Sequence, residues 1–305
     1  MLLVSRFLRI VVAGLLLYPA AALADTKVVV TSKPIHALVS SIMAGIGNPD
    51  LLIEGQASPH SYALKPSDAR KVHNAQVFFR VSEELEPFTS KLVDALPKSV
   101  RVVSLVEAPG LKLLKRREGG AFESEGGHEH HEHTYDPHVW LDPDNATAMI
   151  RFIADVLSEL DPANAAAMKT NATAEIERVD ALLKAISTEL APVSEKPFVV
   201  YHDAYQYFEK RFGLTAVGSI TVSPDLPPSG KRLRNLREKI VATGAMCVFA
   251  EPQLDPRVTE VIVEGTRARV GTLDPEGTKL AAGPDLYRQL MRNLAQGFRD
   301  CLGAN

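Results

Sequence analysis

Residues 27–54 read KVVVTSKPIHALVSSIMAGIGNPDLLIE, and this stretch decides the fold. A β-branched run at 27–31 gives way to a helical pattern from Pro34, and a second short apolar run follows at 51–54. Strand, helix and strand in that order predict parallel strands joined by a crossover helix. The rhythm continues with a helix at 66–73, a strand at 77–81, a helix at 87–96 and a strand at 100–105. A second series places strands at 198–201, 214–220, 246–250 and 270–273, with helices starting at Asp203, Ser229, Pro256 and about Pro284. The fold class is therefore α/β, built as two (β/α) lobes with parallel-sheet cores.

Between the two series lie two long helical patterns with few breakers, at 143–160 and at about 163–190. Asp142 before Pro143 is an N-cap followed by proline at the first helical position, and Asp161-Pro162 marks the next start. The second pattern would span roughly 40 Å, enough to join both lobes as a rigid interlobe helix and to oppose large hinge closure. The expected organisation is a lobe at 25–160, a linking helix at 161–193 and a lobe at 194–305.

The first 24 residues read as a secretory signal. Arg6 and Arg9 precede an apolar run from Ile10 to Leu17, and Ala22-Leu23-Ala24 offers small residues where a signal peptidase cuts. The run is far shorter than the roughly 20 residues that span a bilayer. No cysteine lies near the cut, so a lipid anchor is not expected. Without the two arginines the formal charge moves from −3 to −5, which suggests no nucleic-acid partner. An exported chain meets oxidising conditions, so the two cysteines, Cys247 and Cys301, are expected to form a disulfide.

Nine histidines raise the question of which converge. His128, His130, His131 and His133 lie in a Gly-, Glu- and His-rich segment, 116–135, whose composition predicts a loop with weak auxiliary zinc affinity. His73 ends a helix. His202 and Asp274 each follow a strand directly, the edge at which open α/β sheets bind ligands. His60 lies in the connection after 51–54, and His138 in the proline-fixed turn Asp136-Pro137-His138. Facing lobes would bring His60, His138, His202 and Asp274 to one cleft. Three imidazoles and a carboxylate suit Zn²⁺ better than the all-oxygen shells of Ca²⁺ or Mg²⁺. His36, early in the first helix, is a pocket-wall candidate, and Glu251 is the reserve ligand, so the fourth position stays open among Asp274, Glu251 and water. Such a closed site, in a chain with no His-Glu-x-x-His, does not suggest an enzyme. A secreted zinc hydrolase using Glu251 as base, and a manganese or iron(II) binder, are the competing readings.

Five ordered motifs carry a resemblance over residues 25–305: SPHSYALKPSD around His60, DPHVWLDP around His138, YHDAYQYF around His202, FAEPQ at 249–253 and GTLDP ending at Pro275. Together they resemble the zinc-specific branch of the periplasmic metal-binding proteins of ABC importers, the ZnuA-like family. The resemblance implies two lobes with Zn²⁺ held in the cleft between them, a periplasmic monomer and delivery to an ABC-type permease in the inner membrane. It also implies His60, His138 and His202 as ligands, with Asp274 where related binders use a carboxylate. Manganese-preferring relatives have a carboxylate where His202 stands, so the histidine favours zinc. A histidine-rich loop and a cysteine pair near the C-terminus are further shared features.

Overall fold

The computed structural model describes residues 26–117, 135–221, 223–224 and 227–304. Residues 1–24, expected to be a signal, and His128, His130, His131 and His133 lie outside the described residues. The first sheet contains β1 (Val28–Val30), β2 (Asp50–Leu51), β3 (Val77–Arg80) and β4 (Arg101–Ser104). Its order is β2-β1-β3-β4, every pairing parallel. The second contains β5 (Pro197–His202), β6 (Thr215–Thr221), β7 (Cys247–Ala250) and β8 (Arg269–Thr272), again all parallel, in the order β6-β5-β7-β8. In each sheet the chain moves outward on one side of the first strand and then returns to build on the other side. That reversal leaves a crevice at the carboxyl ends of β1 and β3, and of β5 and β7.

Alternation along each strand explains how two sheets share one interior. Val28, Val30, Phe79, Phe198, Val200 and Phe249 face a central core, while their neighbours Val29, Phe78, Val199 and Val248 pack in smaller clusters on the outer faces. The central core also takes residues from α1 (Lys33–Ile42), α4 (Pro143–Leu160), α5 (Ala165–Leu190) and α9 (Leu286–Gly303). The remaining helices are α2 (Pro66–His73), α3 (Thr89–Asp94), α6 (Gln206–Phe212), α7 (Gly230–Thr243) and α8 (Pro256–Val263). Among the described residues no helix is long and apolar enough to cross a membrane.

The long linking helix is α5, packed along α4. Its Glu175 is fully buried and holds Arg288 of α9 as well as its own Arg178, so the connection is fixed to the second lobe by charge as well as by apolar contact. The cap of α4 is as expected, since the Asp142 side chain accepts from Asp144 N. Two helix starts differ. Asn164 precedes α5, because Asp161 closes its own turn by accepting from Asn164 N and Nδ2. Helix α6 starts three residues after Asp203, whose carboxylate is taken by Arg117 instead of capping.

Cys247 and Cys301 form the disulfide, joining β7 to α9. Helix α9 lies so close to β8 that a Cβ at Gly297 would stand 2.7 Å from the Thr272 carbonyl oxygen. With the cysteines 54 positions apart in sequence, loop-closure entropy sets an upper value of about 4 kcal/mol for the link. We expect the Cys247→Ser, Cys301→Ser double variant to fold but to melt at a lower temperature, by calorimetry, with the wild-type value falling to match it under reductant.

Candidate metal centre

The first imidazole comes from the end of a central strand. His202 is the last residue of β5, and Glu251 follows β7 directly, so the two flank the crevice where the strand order of the second sheet reverses. They meet there: His202 Nδ1 lies 2.7 Å from Glu251 Oε1, both residues being only 3% exposed. Gln253 Nε2 donates to the other carboxylate oxygen at 3.0 Å.

The second imidazole is fixed by its own turn. His138 receives Asp136 twice, with its backbone N donating to Oδ1 at 3.0 Å and its ring Nδ1 at 2.7 Å from the same oxygen. The turn is held in the core by Tyr207 Oη donating to the Asp136 carbonyl, and beyond it by Trp140 Nε1 donating to the Pro275 carbonyl, both at 2.9 Å. His60 comes from the connection after β2, where its backbone N donates to Ser58 Oγ.

These supports aim the free ring nitrogens at one point. His138 Nε2 lies 3.2 Å from His60 Nε2 and 3.4 Å from His202 Nε2, and the three ligand atoms fall within 4.8 Å of one another. With Nδ1 of His138 and His202 donating to carboxylates, each Nε2 carries a lone pair. Lone pairs that converge in a buried space repel unless a cation or a proton lies between them. A carboxylate-backed imidazole also binds a cation more strongly and in one tautomer.

Burial pushes His60 and His138 well below the ordinary histidine range, and neighbouring imidazoles add to the effect. At His202 burial acts the same way, but the charge and hydrogen bond of Glu251 win and raise it. Burial also pushes Asp136 up to about 7.

Asp274 and His36 have other partners. Asp274 accepts from Thr278 N at 2.7 Å, Thr278 Oγ1 at 2.8 Å and Glu276 N at 3.2 Å, so its carboxylate closes the turn after β8 and does not join the three-histidine group. His36 is buried in α1, donating from Nε2 to the Pro49 carbonyl at 3.0 Å, and is not at the centre. Glu251 is at the centre as the partner of His202. Asp136 has the equivalent role for His138 and was not singled out as a site residue, although it stands two positions before His138 in the DPH motif.

Two parallel-sheet lobes on a common helical layer, with three imidazoles, two of them buried, converging between them, define a two-lobed metal-binding protein. The chain belongs to the family of zinc-uptake complex component A, periplasmic, which matches residues 28–301. It is similar to the high-affinity zinc uptake system protein ZnuA of Brucella abortus (strain 2308), at 46% identity over 90% of this chain and 91% of that protein. The protein of the same description from Paracoccus denitrificans (strain Pd 1222) is 35% identical, over 93% of this chain and 94% of its own length. Among solved structures, the laminin-binding protein Lbp of Streptococcus pyogenes superposes with a TM-score of 0.75 at 26% identity, covering 91% of this chain and 99% of that one.

If Glu251 orients His202, Glu251→Gln should weaken zinc binding roughly 10- to 100-fold in chelator competition, with His36→Ala unchanged. A loss confined to thermal stability would remove that role. The direction at His202 also sets the pH response. It is the first of the three imidazoles to take a proton as pH falls, so zinc affinity should decline from above 6.5 downward, by up to about one decade per pH unit. Titrations across pH 5–8 measure this, and a flat profile would contradict it.

Proposed function

We propose that this chain captures Zn²⁺ in the periplasm and delivers it to an ABC-type permease, with no bond made or broken. The convergence of three imidazole nitrogens, two of them backed by carboxylates, carries the reading. Nitrogen donors suit a borderline ion, and zinc outranks manganese and iron(II) in intrinsic affinity at such sites. The description of the family and the names of its zinc-uptake relatives support the same cargo.

In this reading His60, His138 and His202 hold the ion and Asp274 is the fourth ligand. Recruiting Asp274 means giving up its hydrogen bonds to Thr278, so it should contribute less than any of the three histidines. The protein acts as a monomer exported by residues 1–24. The histidines of 116–135 serve as weak, auxiliary zinc sites. A partner permease is implied by the cargo itself, because a dication cannot cross a bilayer unaided.

Metal-stripped protein titrated with zinc against a tight chromophoric chelator should show one tight equivalent that manganese does not displace. His202→Ala should lose roughly a hundredfold or more, and Asp274→Ala clearly less. Equal losses for His202→Ala and His36→Ala would overturn the ligand assignment, and displacement by manganese would overturn the cargo.

A further inference from the structure

An acid that takes no part in the metal centre stands in the wall of its cleft. The cleft encloses about 160 Å³, and Asp203, Asp136 and Glu84 line it together with His60 and His138. Asp136 is committed to His138, and Glu84 is half-buried in the turn after β3. Asp203 is buried and follows the ligand His202 directly in the chain. It offers oxygen beside a nitrogen shell, yet the group of converging ligand atoms contains the three histidines and not Asp203.

The oxygens of Asp203 are taken by Arg117. Its Nε donates to both carboxylate oxygens at 3.0 Å, and Nη2 donates to Oδ1 as well. The other edge of the guanidinium is held by buried Glu209 in the first turn of α6, with Nη1 donating to Oε2 at 2.7 Å and Nη2 to Oε1 at 3.0 Å. The backbone leading to Arg117 is itself fixed. Lys115 pairs with Tyr135 in an antiparallel bridge, and Leu114 N donates to Tyr207 Oη at 3.0 Å. One planar cation thus spans two acids, by bonds that are about twice as strong as neutral ones. Giving one of them up inside the protein is costly.

A further carboxylate added to three imidazoles and Asp274 would make the shell richer in oxygen, which suits manganese(II) and other harder ions better than zinc. We propose that Arg117 is a specificity-determining residue: by holding both oxygens of Asp203 it keeps that acid off the ion and leaves selectivity to the histidines. Glu209 is the counter-ion that lets the guanidinium stay buried beside the cleft. Arg117 therefore acts through Asp203 and not on the ion itself. The inference rests on His60, His138 and His202 being the zinc shell.

Arg117→Gln alone would strip two buried acids of their shared cation, so Glu209→Gln is combined with it to keep the net charge. Zinc and manganese affinities would be measured by chelator competition for wild type, for this double variant and for the triple variant that adds Asp203→Asn, with folding followed by calorimetry. A change in field acts on both dications alike and cancels in the ratio of the two affinities, whereas a new oxygen ligand does not. The manganese-to-zinc ratio should rise about tenfold or more in the double variant, the order that one supporting residue is worth at a metal site, and return to the wild-type value in the triple. A ratio unchanged in the double variant, or a rise that survives Asp203→Asn, would overturn the role of Arg117. Absence of tight zinc binding in wild type would instead defeat the three-histidine shell on which it depends.

Discussion

An imidazole offers one nitrogen to a metal only when the proton on its other nitrogen has somewhere to go, and much of this architecture supplies such places. The His202–Glu251 pair depends on β5 and β7 being neighbours, which follows from the reversed strand order of the second sheet. Glu251 can be buried because it has two partners, His202 and Gln253. The His138–Asp136 pair obtains the same result within three residues, using a proline to shape the turn and Tyr207 to fix it in the core. Two unrelated local solutions thus aim two nitrogens at one point, and His60 completes it from the connection after β2.

That geometry survives only if the lobes keep their relative positions. The central core is continuous through both sheets and the helices α1, α4, α5 and α9, so separating the lobes would expose apolar surface at every layer. Buried Glu175 adds a charge contact between α5 and α9 that is costly to break. Such a frame favours a largely preformed centre, in which selectivity comes from donor type and spacing more than from closure around the ion.

The strand–helix rhythm was legible because parallel strands and their crossover helices write different periods into the chain. Histidines and acids that follow strands were legible for the same reason, and β2 and β8 run on as expected: Leu52 N donates to the Val30 carbonyl and Leu273 N to the Ala250 carbonyl. What the sequence hid was partnership. Nothing local says that β5 lies beside β7, so Glu251 read as a reserve ligand rather than as the acceptor behind His202. Asp274 read as a ligand from its strand-end position, although Asp-Pro-Glu-Gly-Thr is also a turn that closes on its own aspartate. His36 owes its burial to a carbonyl 13 residues away, a pairing that helical periodicity cannot report.

Charge explains how three neutral ligands can still favour a dication. Three imidazoles contribute no net charge, so compensation must come from behind them, and Glu251 and Asp136 stand there in hydrogen-bond contact with two of the rings. A shell made mainly of carboxylates would favour harder cations that prefer oxygen, whereas a carboxylate acting through an imidazole keeps that donor atom nitrogen and supplies its charge one ring away. The separation allows donor type and field strength to be set by different residues. Selectivity then belongs to the histidines, and affinity to the charges around them.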